Sequence, residues 1–270
     1  SATAADPVES TICETSVPQA RVMERFAIKL QPVPLAKVNE RWSKRGVILG
    51  ANSDARALQQ YLTTLGVDVV VLDPADGESR LLKKLEIAWN DGPFNHCFVM
   101  TARDAMPMNW SDSNLWQIRR TNGVLLPFWI LQKWFELSLS APANTPFTLT
   151  VASAMGGHLG LEGKVSSPEG GALSGLAKGI LVESEGKIKV RIVDLANDFT
   201  SSEVVSALSQ ETCAQHAEVE IAYGRVAGRR VVRGKRAPLS NVQKQPVPRG
   251  STWIVTGGAR GVTGFVAREL

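Results

Sequence analysis

Trp253-Ile-Val-Thr-Gly-Gly-Ala-Arg-Gly-Val-Thr-Gly-Phe-Val-Ala267 decides how this chain is read. An apolar run, Trp253 to Val255, leads into a glycine-rich turn, Thr256-Gly257-Gly258-Ala259-Arg260-Gly261-Val262-Thr263. Apolar residues at helical spacing follow at Phe265, Val266 and Leu270. Strand, glycine turn and helix in that order form the setting in which a pyrophosphate is held. Gly257 and Gly261 let the backbone approach the phosphates. Amide groups at the start of the helix then face the negative charge. Thr256, Gly257, Gly258, Arg260, Gly261, Val262 and Thr263 are therefore the candidate cofactor-binding residues. A βαβ unit needs about 30 residues or more, and this one meets the last residue, Leu270, before it can close. The expectation is a chain cut inside an enzyme, most of it upstream of the nucleotide-binding part.

The residues upstream alternate strand and helix patterns. Arg25 to Gln31 alternates Phe26, Ile28 and Leu30 with polar or small neighbours, which predicts a strand with one buried face, ended by Pro32 and Pro34. Gly46 to Ala51 reads as a buried strand and turn, and Ala55 to Leu65 as a helix. Val67 to Leu72, Cys97 to Met100, Phe147 to Val151 and Ile188 to Val193 read as further strands. Leu115 to Leu137 predicts one long helix, with Leu115, Ile118, Val124, Leu125, Phe128, Leu131 and Trp134 at helical spacing. Leu173 to Val182 predicts another, despite Gly175 and Gly179. Such alternation indicates an α/β fold: a doubly wound, mainly parallel Rossmann-like sheet covered on both faces. Glu218 to Tyr223 and Arg230 to Arg233 flank a glycine-containing turn and predict an antiparallel hairpin. The last segment adds the first β-α unit of a second Rossmann domain.

The first layer reads as degenerate. Its nucleotide turn is Leu49-Gly-Ala-Asn-Ser-Asp-Ala55, in which only Gly50 keeps the glycine pattern. Asp54 replaces a glycine and is expected to put negative charge near a phosphate. Asp73, about 20 residues further on, sits where a ribose-binding acid would lie, though an acid at a strand end is common. A short-chain reductase site would use a Tyr as acid, a Lys four residues later and a Ser nearby. Tyr61 and Tyr223 have no Lys at that spacing. Ser153 lies at a strand end expected for the Ser, but no Tyr follows it. Ser174 and Lys178 have the four-residue spacing and are expected on the helix surface. No catalytic residue is assigned.

Composition narrows the classes further. Hydrophobic residues make up 44% and charged residues 21% of 270 residues, ordinary for a globular chain. No apolar run reaches the roughly 18 residues of a membrane span, and no basic-then-apolar leader opens the sequence. The net charge of +4 gathers in Arg225, Arg229, Arg230, Arg233, Lys235, Arg236, Lys244 and Arg249. Without interleaved aromatic residues this favours a solvated hairpin and linker over nucleic-acid binding. Cys13, Cys97 and Cys213 and His96, His158 and His216 show no metal-ligand spacing, so no metal site is expected. So sparse a cysteine content suits a reducing, cytoplasmic setting. His96 and Cys97 fall in an apolar strand, where a core role is expected.

The glycine turn is similar to the short-chain dehydrogenase/reductase pattern Thr-Gly-x-x-x-Gly-x-Gly, with Thr263 in place of the last glycine. In order along the chain, Arg25-Phe-Ala-Ile-Lys-Leu, Arg119-Arg-Thr-Asn-Gly-Val-Leu, Gly175-Leu-Ala-Lys, Glu220-Ile-Ala-Tyr-Gly and this turn resemble the ketoreductase region of type I polyketide and polyunsaturated fatty acid synthases. In that family a structural pseudo-reductase subdomain precedes the catalytic one. Residues 1–22, small and polar with Pro7 and Pro18 and no apolar period, read as linker, and the resemblance implies 23–240 as structural subdomain. It further implies 241–251 as a second linker and 252–270 as the truncated start of the catalytic, NADPH-binding subdomain. It implies a parent that reduces a β-ketoacyl group carried on phosphopantetheine. The partners would be the catalytic subdomain and an acyl carrier domain of the same polypeptide. Arg260 would contact the 2′-phosphate of NADPH, and the catalytic Tyr, Lys and Ser would lie beyond Leu270. Two alternatives remain open: a stand-alone pseudo-reductase scaffold or binding module, and an independent NAD-dependent enzyme using the first layer.

Overall fold

A computed structural model describes residues 24–39, 42–103, 109, 111–163, 165–237, 250–257 and 261–269. The expected linkers, 1–22 and most of 241–251, lie outside them. The chain divides into two compact units, Ile28–Gly234 and the terminal stretches up to Ala27 and from Lys235.

The strands are β1 (Phe26–Pro32), β2 (Arg45–Leu49), β3 (Asp68–Leu72), β4 (His96–Ala102), β5 (Phe147–Ser153), β6 (Ile188–Leu195), β7 (Glu220–Gly224) and β8 (Gly228–Arg236). They form one sheet in the order β1-β8-β7-β6-β5-β4-β2-β3. From β3 to β7 every pairing is parallel, and β7 and β8 run antiparallel, as the hairpin pattern predicts. The chain runs from β2 outward to β3, then returns past β2 to β4. The reversal between β2 and β4 is the switch point at which α/β sheets of this kind bind ligands.

Both faces of the sheet are buried because the central strands place apolar residues on both faces rather than on one. Val47 and Leu49, Cys97 and Val99, Leu149 and Val151 point to one face. There they meet α2 (Glu78–Trp89), α4 (Leu126–Leu139) and α5 (Glu169–Glu183) through Leu85, Trp134 and Ala177. Ile48, Phe98, Met100 and Val193 point to the other face. Leu58 and Leu62 of α1 (Ser53–Thr64) and Val204 and Leu208 of α6 (Ser201–Cys213) cover them. Each fully buried leucine is worth about 1.5–3 kcal/mol.

Several expectations need correction. The helix expected over Leu115–Leu137 is α3 (Ser113–Arg120) and α4, joined by a π-helical turn at Thr121–Leu125. The extra residue in that turn changes the phase. Ile118 and Phe128 are consequently exposed, while Leu126, Ile130, Leu131 and Trp134 fill the core. The predicted buried face of β1 is exposed at Phe26 and Ile28, since β1 is the sheet edge. Helices α2 and α6 are absent from the sequence reading, although each carries a signal. In α2, Leu81 and Leu85 recur at helical spacing. In α6, Thr200 and Glu203 form a reciprocal capping box. In the tail, Trp253–Val255 form no strand, and Trp253 and Ile254 are exposed. A strand exists only as part of a ladder, and among the described residues these have no partner strand. The helix expected after them is present as α7 (Gly261–Glu269).

Candidate functional site

Two glycine turns compete for the role of nucleotide site. In the tail, Gly257 has φ +71° and Gly261 has φ +62°. Side chains with a Cβ rarely adopt these angles, so glycine is required on backbone grounds. A Cβ on Gly261 would meet open space. Thr256, Gly257, Gly261, Val262 and Thr263 are exposed, and Gly261 opens α7. Gly258 and Arg260 lie outside the described residues. Gly257 thus lies in a turn and Gly261 at the start of a helix, both exposed.

The turn at the switch point is built differently. Gly50, at φ +139°, leads out of β2, and a Cβ there would come 2.9 Å from Met100 Cβ. The glycine therefore serves packing against β4. Asn52 caps α1: its Oδ1 accepts from Ala55 N at 2.9 Å, and its Nδ2 donates to the Met100 carbonyl at 3.0 Å. An amide group that a phosphate would need is thus occupied by a side chain of the chain itself. Asp54 does not project into the turn, contrary to the expectation that its charge faces a phosphate. It is buried and accepts from Arg103 Nε at 3.0 Å and Ser201 Oγ at 2.7 Å. Arg103 also donates to the carbonyls of Ser153 and Leu195. One buried guanidinium thus ties together the ends of β4, β5 and β6 and the start of α1. Asp73 accepts from Ala75 N at 3.0 Å and caps its own turn. The cleft left between Gly50, Asn52, Asp73, Thr101 and Asn122 measures about 250 Å³. That is below the roughly 300–1,000 Å³ of small-molecule sites.

The positions where reductase chemistry was sought serve structure. Ser153 donates to Asp194 Oδ1 at 2.9 Å. Asp194, fully buried at the end of β6, also accepts from the backbone N–H of Met155 (2.6 Å), His158 (2.8 Å) and Leu159 (2.7 Å). It thereby pins the loop after β5, including Leu159 at φ +55°. Sequence reasoning passed over Asp194, whose only signal was an acid at a strand end. Ser174 is buried, not on the helix surface as expected, whereas Lys178 pairs at the surface with Glu220 at 2.9 Å. Tyr223 donates to Glu211 at 2.6 Å, and burial raises its pKa. Tyr61 lies on α1, beside a groove it shares with α6.

The resembling segment Arg119–Leu125 also has a packing explanation. Arg119 Nε donates to Glu169 Oε1 at 3.0 Å, and both side chains are nearly buried. A Cβ on Gly123 would come 2.9 Å from Glu169 Cγ, so glycine is needed for the acid to lie against the π turn. His96 and Cys97 have core roles. His96 Nε2 accepts from Ser43 N at 3.0 Å, and its Nδ1 meets Thr148 Oγ1 at 2.7 Å. Burial raises the Cys97 pKa. The basic hairpin is ion-paired: Arg225 with Glu203, Arg229 with Glu211, Arg230 with Glu162 and Arg233 with Glu218. Among the described residues no group of His, Cys, Asp or Glu could hold a metal ion. Nor is any helix there long and apolar enough to cross a membrane.

No protein-family model and no curated protein matches the chain. Solved structures do resemble it. One is the adenylation, ketoreductase and pseudo-Asub multidomain structure of a keto acid-selecting NRPS module, at TM-score 0.64 and 15% identity, covering 90% of this chain and 21% of that one. A second is 4-hydroxyisoleucine dehydrogenase complexed with NADH and succinate, at TM-score 0.50 and 14% identity, covering 67% of this chain and 100% of that one. An A1-type ketoreductase aligns at TM-score 0.49 and 20% identity, covering 91% of this chain and 49% of that one. The chain spans about a fifth of the length of the NRPS module structure. At these identities the first two likenesses establish the fold: an α/β, Rossmann-like sheet.

Proposed function

We propose that this chain is the structural, non-catalytic subdomain of a ketoreductase region in a polyketide or polyunsaturated fatty acid synthase, followed by the opening turn of the catalytic subdomain. The parent reduces a β-ketoacyl thioester on a phosphopantetheine arm with NADPH. Its partners are the catalytic subdomain and an acyl carrier domain of the same polypeptide, and its setting is cytoplasmic.

The observation that carries this reading is the self-satisfied switch point. Asn52 caps α1, where a phosphate would bind, and Asp54 is consumed by Arg103 and Ser201. An enzyme that needed this layer for its cofactor would leave those groups free. In the tail, the described turn residues Thr256, Gly257, Gly261, Val262 and Thr263 are exposed, which supports nucleotide binding there. Thr256, Gly257, Gly258, Arg260, Gly261, Val262 and Thr263 are the residues assigned to that cofactor.

The test has two arms. Calorimetry of this chain with NADPH should show no binding, and incubation with NADPH and an acetoacetyl thioester should consume no cofactor beyond a buffer control. Tight binding or turnover by this chain would refute the non-catalytic assignment. The coding sequence after Leu270 supplies the second arm. A continuing frame with a Tyr-x-x-x-Lys segment supports the synthase reading, and a stop codon there favours a stand-alone pseudo-reductase scaffold.

A further inference from the structure

Away from the switch point, the C-terminal end of α6 buries a cluster of titratable side chains that neither nucleotide turn uses. At its centre is Glu211, with no exposed surface. Tyr223 Oη donates to its Oε1 at 2.6 Å, and Arg229 Nε to the same oxygen at 2.5 Å. Its Oε2 meets Arg229 Nη2 at 3.1 Å and His216 Nε2 at 2.8 Å. The cluster joins three strands and a helix: Arg191 of β6, Glu211 of α6, Tyr223 of β7 and Arg229 of β8.

The same groups hold down a segment outside the regular elements. Residues Val33–Asn39 run from β1 toward β2 as a strap, exposed or half-buried throughout. Its fastenings are few. Arg229 Nη1 donates to the carbonyls of Val33 (2.9 Å) and Pro34 (3.4 Å). Val38 makes an isolated antiparallel bridge with Ala214, Gln215 N donates to Lys37 O, and Asn39 N donates to Cys213 O. Every described backbone fastening ends on Cys213, Ala214 or Gln215. The side chains that organise that turn are Lys189, donating to Thr212 O and Ala214 O, and Arg191, donating to Glu211 O, Ala214 O and His216 O.

We propose that Glu211, His216 and Arg229 form an acid-sensitive latch, which fastens the strap Val33–Asn39 to the C-terminal end of α6 and releases it when His216 takes up a second proton.

The hydrogen bonds dictate how the latch responds. His216 Nδ1 accepts from Glu218 N at 3.1 Å, so this nitrogen carries no proton. Nε2 therefore holds the ring's single proton and donates it to Glu211. A second proton can enter only at Nδ1. There it turns the acceptor of the Glu218 N–H into a donor facing a donor. It also adds a cation to a site already rich in them. Lys189 and Arg191 lie on β6, and Arg229 Nη2 stands 3.3 Å from Nε2. Among the described residues, Glu211 is the one carboxylate bonded to the ring. Glu218, just before β7, is engaged by Arg233 of β8. Burial, reinforced by the Arg191 charge, already holds the His216 pKa below its ordinary value. Glu211 stays ionised as the medium acidifies, because hydrogen bonds from Arg229 and Tyr223 outweigh its burial and depress its pKa. The conflict is relieved when the ring and Arg229 move apart, and Arg229 is the side chain that grips Val33 and Pro34.

Hydrogen exchange on the full chain tests the latch, comparing pH 7.5 with pH 5 after correction for intrinsic chemical exchange. Peptides covering 33–39 and 214–216 should lose protection at the lower pH, by up to about tenfold per pH unit once the ring titrates, the limit for one linked proton. Peptides from β5 should not change. The His216→Gln chain, which keeps an amide donor toward Glu211 and cannot charge, should hold its strap equally at both values. An NMR titration of the His216 ring should give a midpoint coincident with strap opening. Protection independent of pH in the wild-type chain would overturn the proposal. So would an opening midpoint that differs from the ring's, or acid opening that persists in the His216→Gln chain.

Discussion

Replacing Asp54 by alanine should destabilise the fold and open no cofactor site. In the structure Arg103 and Asp54 meet at 3.0 Å with side-chain exposures of 2% and 10%. Removing the carboxylate strands a guanidinium inside the protein, which costs about 3–5 kcal/mol. Loss of an acid from the first turn of α1 adds roughly 0.3–1 kcal/mol. For a unit of this size each kcal/mol moves the melting temperature by roughly 2–4 °C, so the drop should be of order 7–24 °C. Differential scanning calorimetry on the wild-type and Asp54→Ala chains measures it, and titration with NADPH should show no binding by either. The double replacement Asp54→Leu with Arg103→Leu should be less damaging than the sum of the single replacements, because the second removes the charge that the first left unpaired. A melting temperature unchanged by Asp54→Ala would show that the pair carries no weight in the core. NADPH binding by that variant would show that the aspartate was blocking a working site, and the degenerate-layer argument would fall with it.

Three further predictions follow from particular groups. Burial, helped by the nearby Lys189 charge, lowers the His96 pKa to about 4 from 6.5, so the folded state keeps the ring neutral while the unfolded chain protonates first. Stability from this residue should therefore be complete above pH 6.5 and fall by about 3 kcal/mol on acidification toward pH 4; urea midpoints across that range should show the slope, and His96→Gln should flatten it. Asp194→Ala orphans the N–H groups of Met155, His158 and Leu159 and should cost about 3 kcal/mol or more, at roughly 1–3 per donor; Asp194→Asn keeps an acceptor and should cost less, and equal melting temperatures for the two variants would contradict the clamp. In the reductase proposed as the parent of this chain, Arg260→Ala should raise the KM for NADPH about tenfold to a hundredfold, from the loss of about 1.5–3 kcal/mol of charge-assisted bonding; KM for NADH should stay unchanged, and equal losses would mean that Arg260 only shapes the loop.

By itself the sequence determined the layered fold. Continuous apolar runs such as Val47–Leu49 and Cys97–Met100 can bury both faces only in a parallel sheet between helices, and the residues around Gly224–Gly228 could only turn back as a hairpin. It also showed where glycine was kept and where it was lost, because a positive φ at Gly257 or Gly261 is a local demand. It did not determine which way a polar side chain faces. Asp54 read as a charge in the nucleotide turn, and only the meeting of Arg103 from the end of β4 with Ser201 from the start of α6 turned it inward. Asp194, Glu211 and His216 were equally mute, since most of their partners stand 5 to 41 residues away in sequence. The same holds for the phase of α3 and α4, shifted by a π turn whose glycine answers to Glu169 on another helix. Hydrophobic period and backbone angle are properties of neighbours along the chain and survive in the sequence. The sign and direction of a buried charge are set by whichever distant group the fold brings within about 3 Å, the reach of a hydrogen bond, and that only the tertiary structure decides.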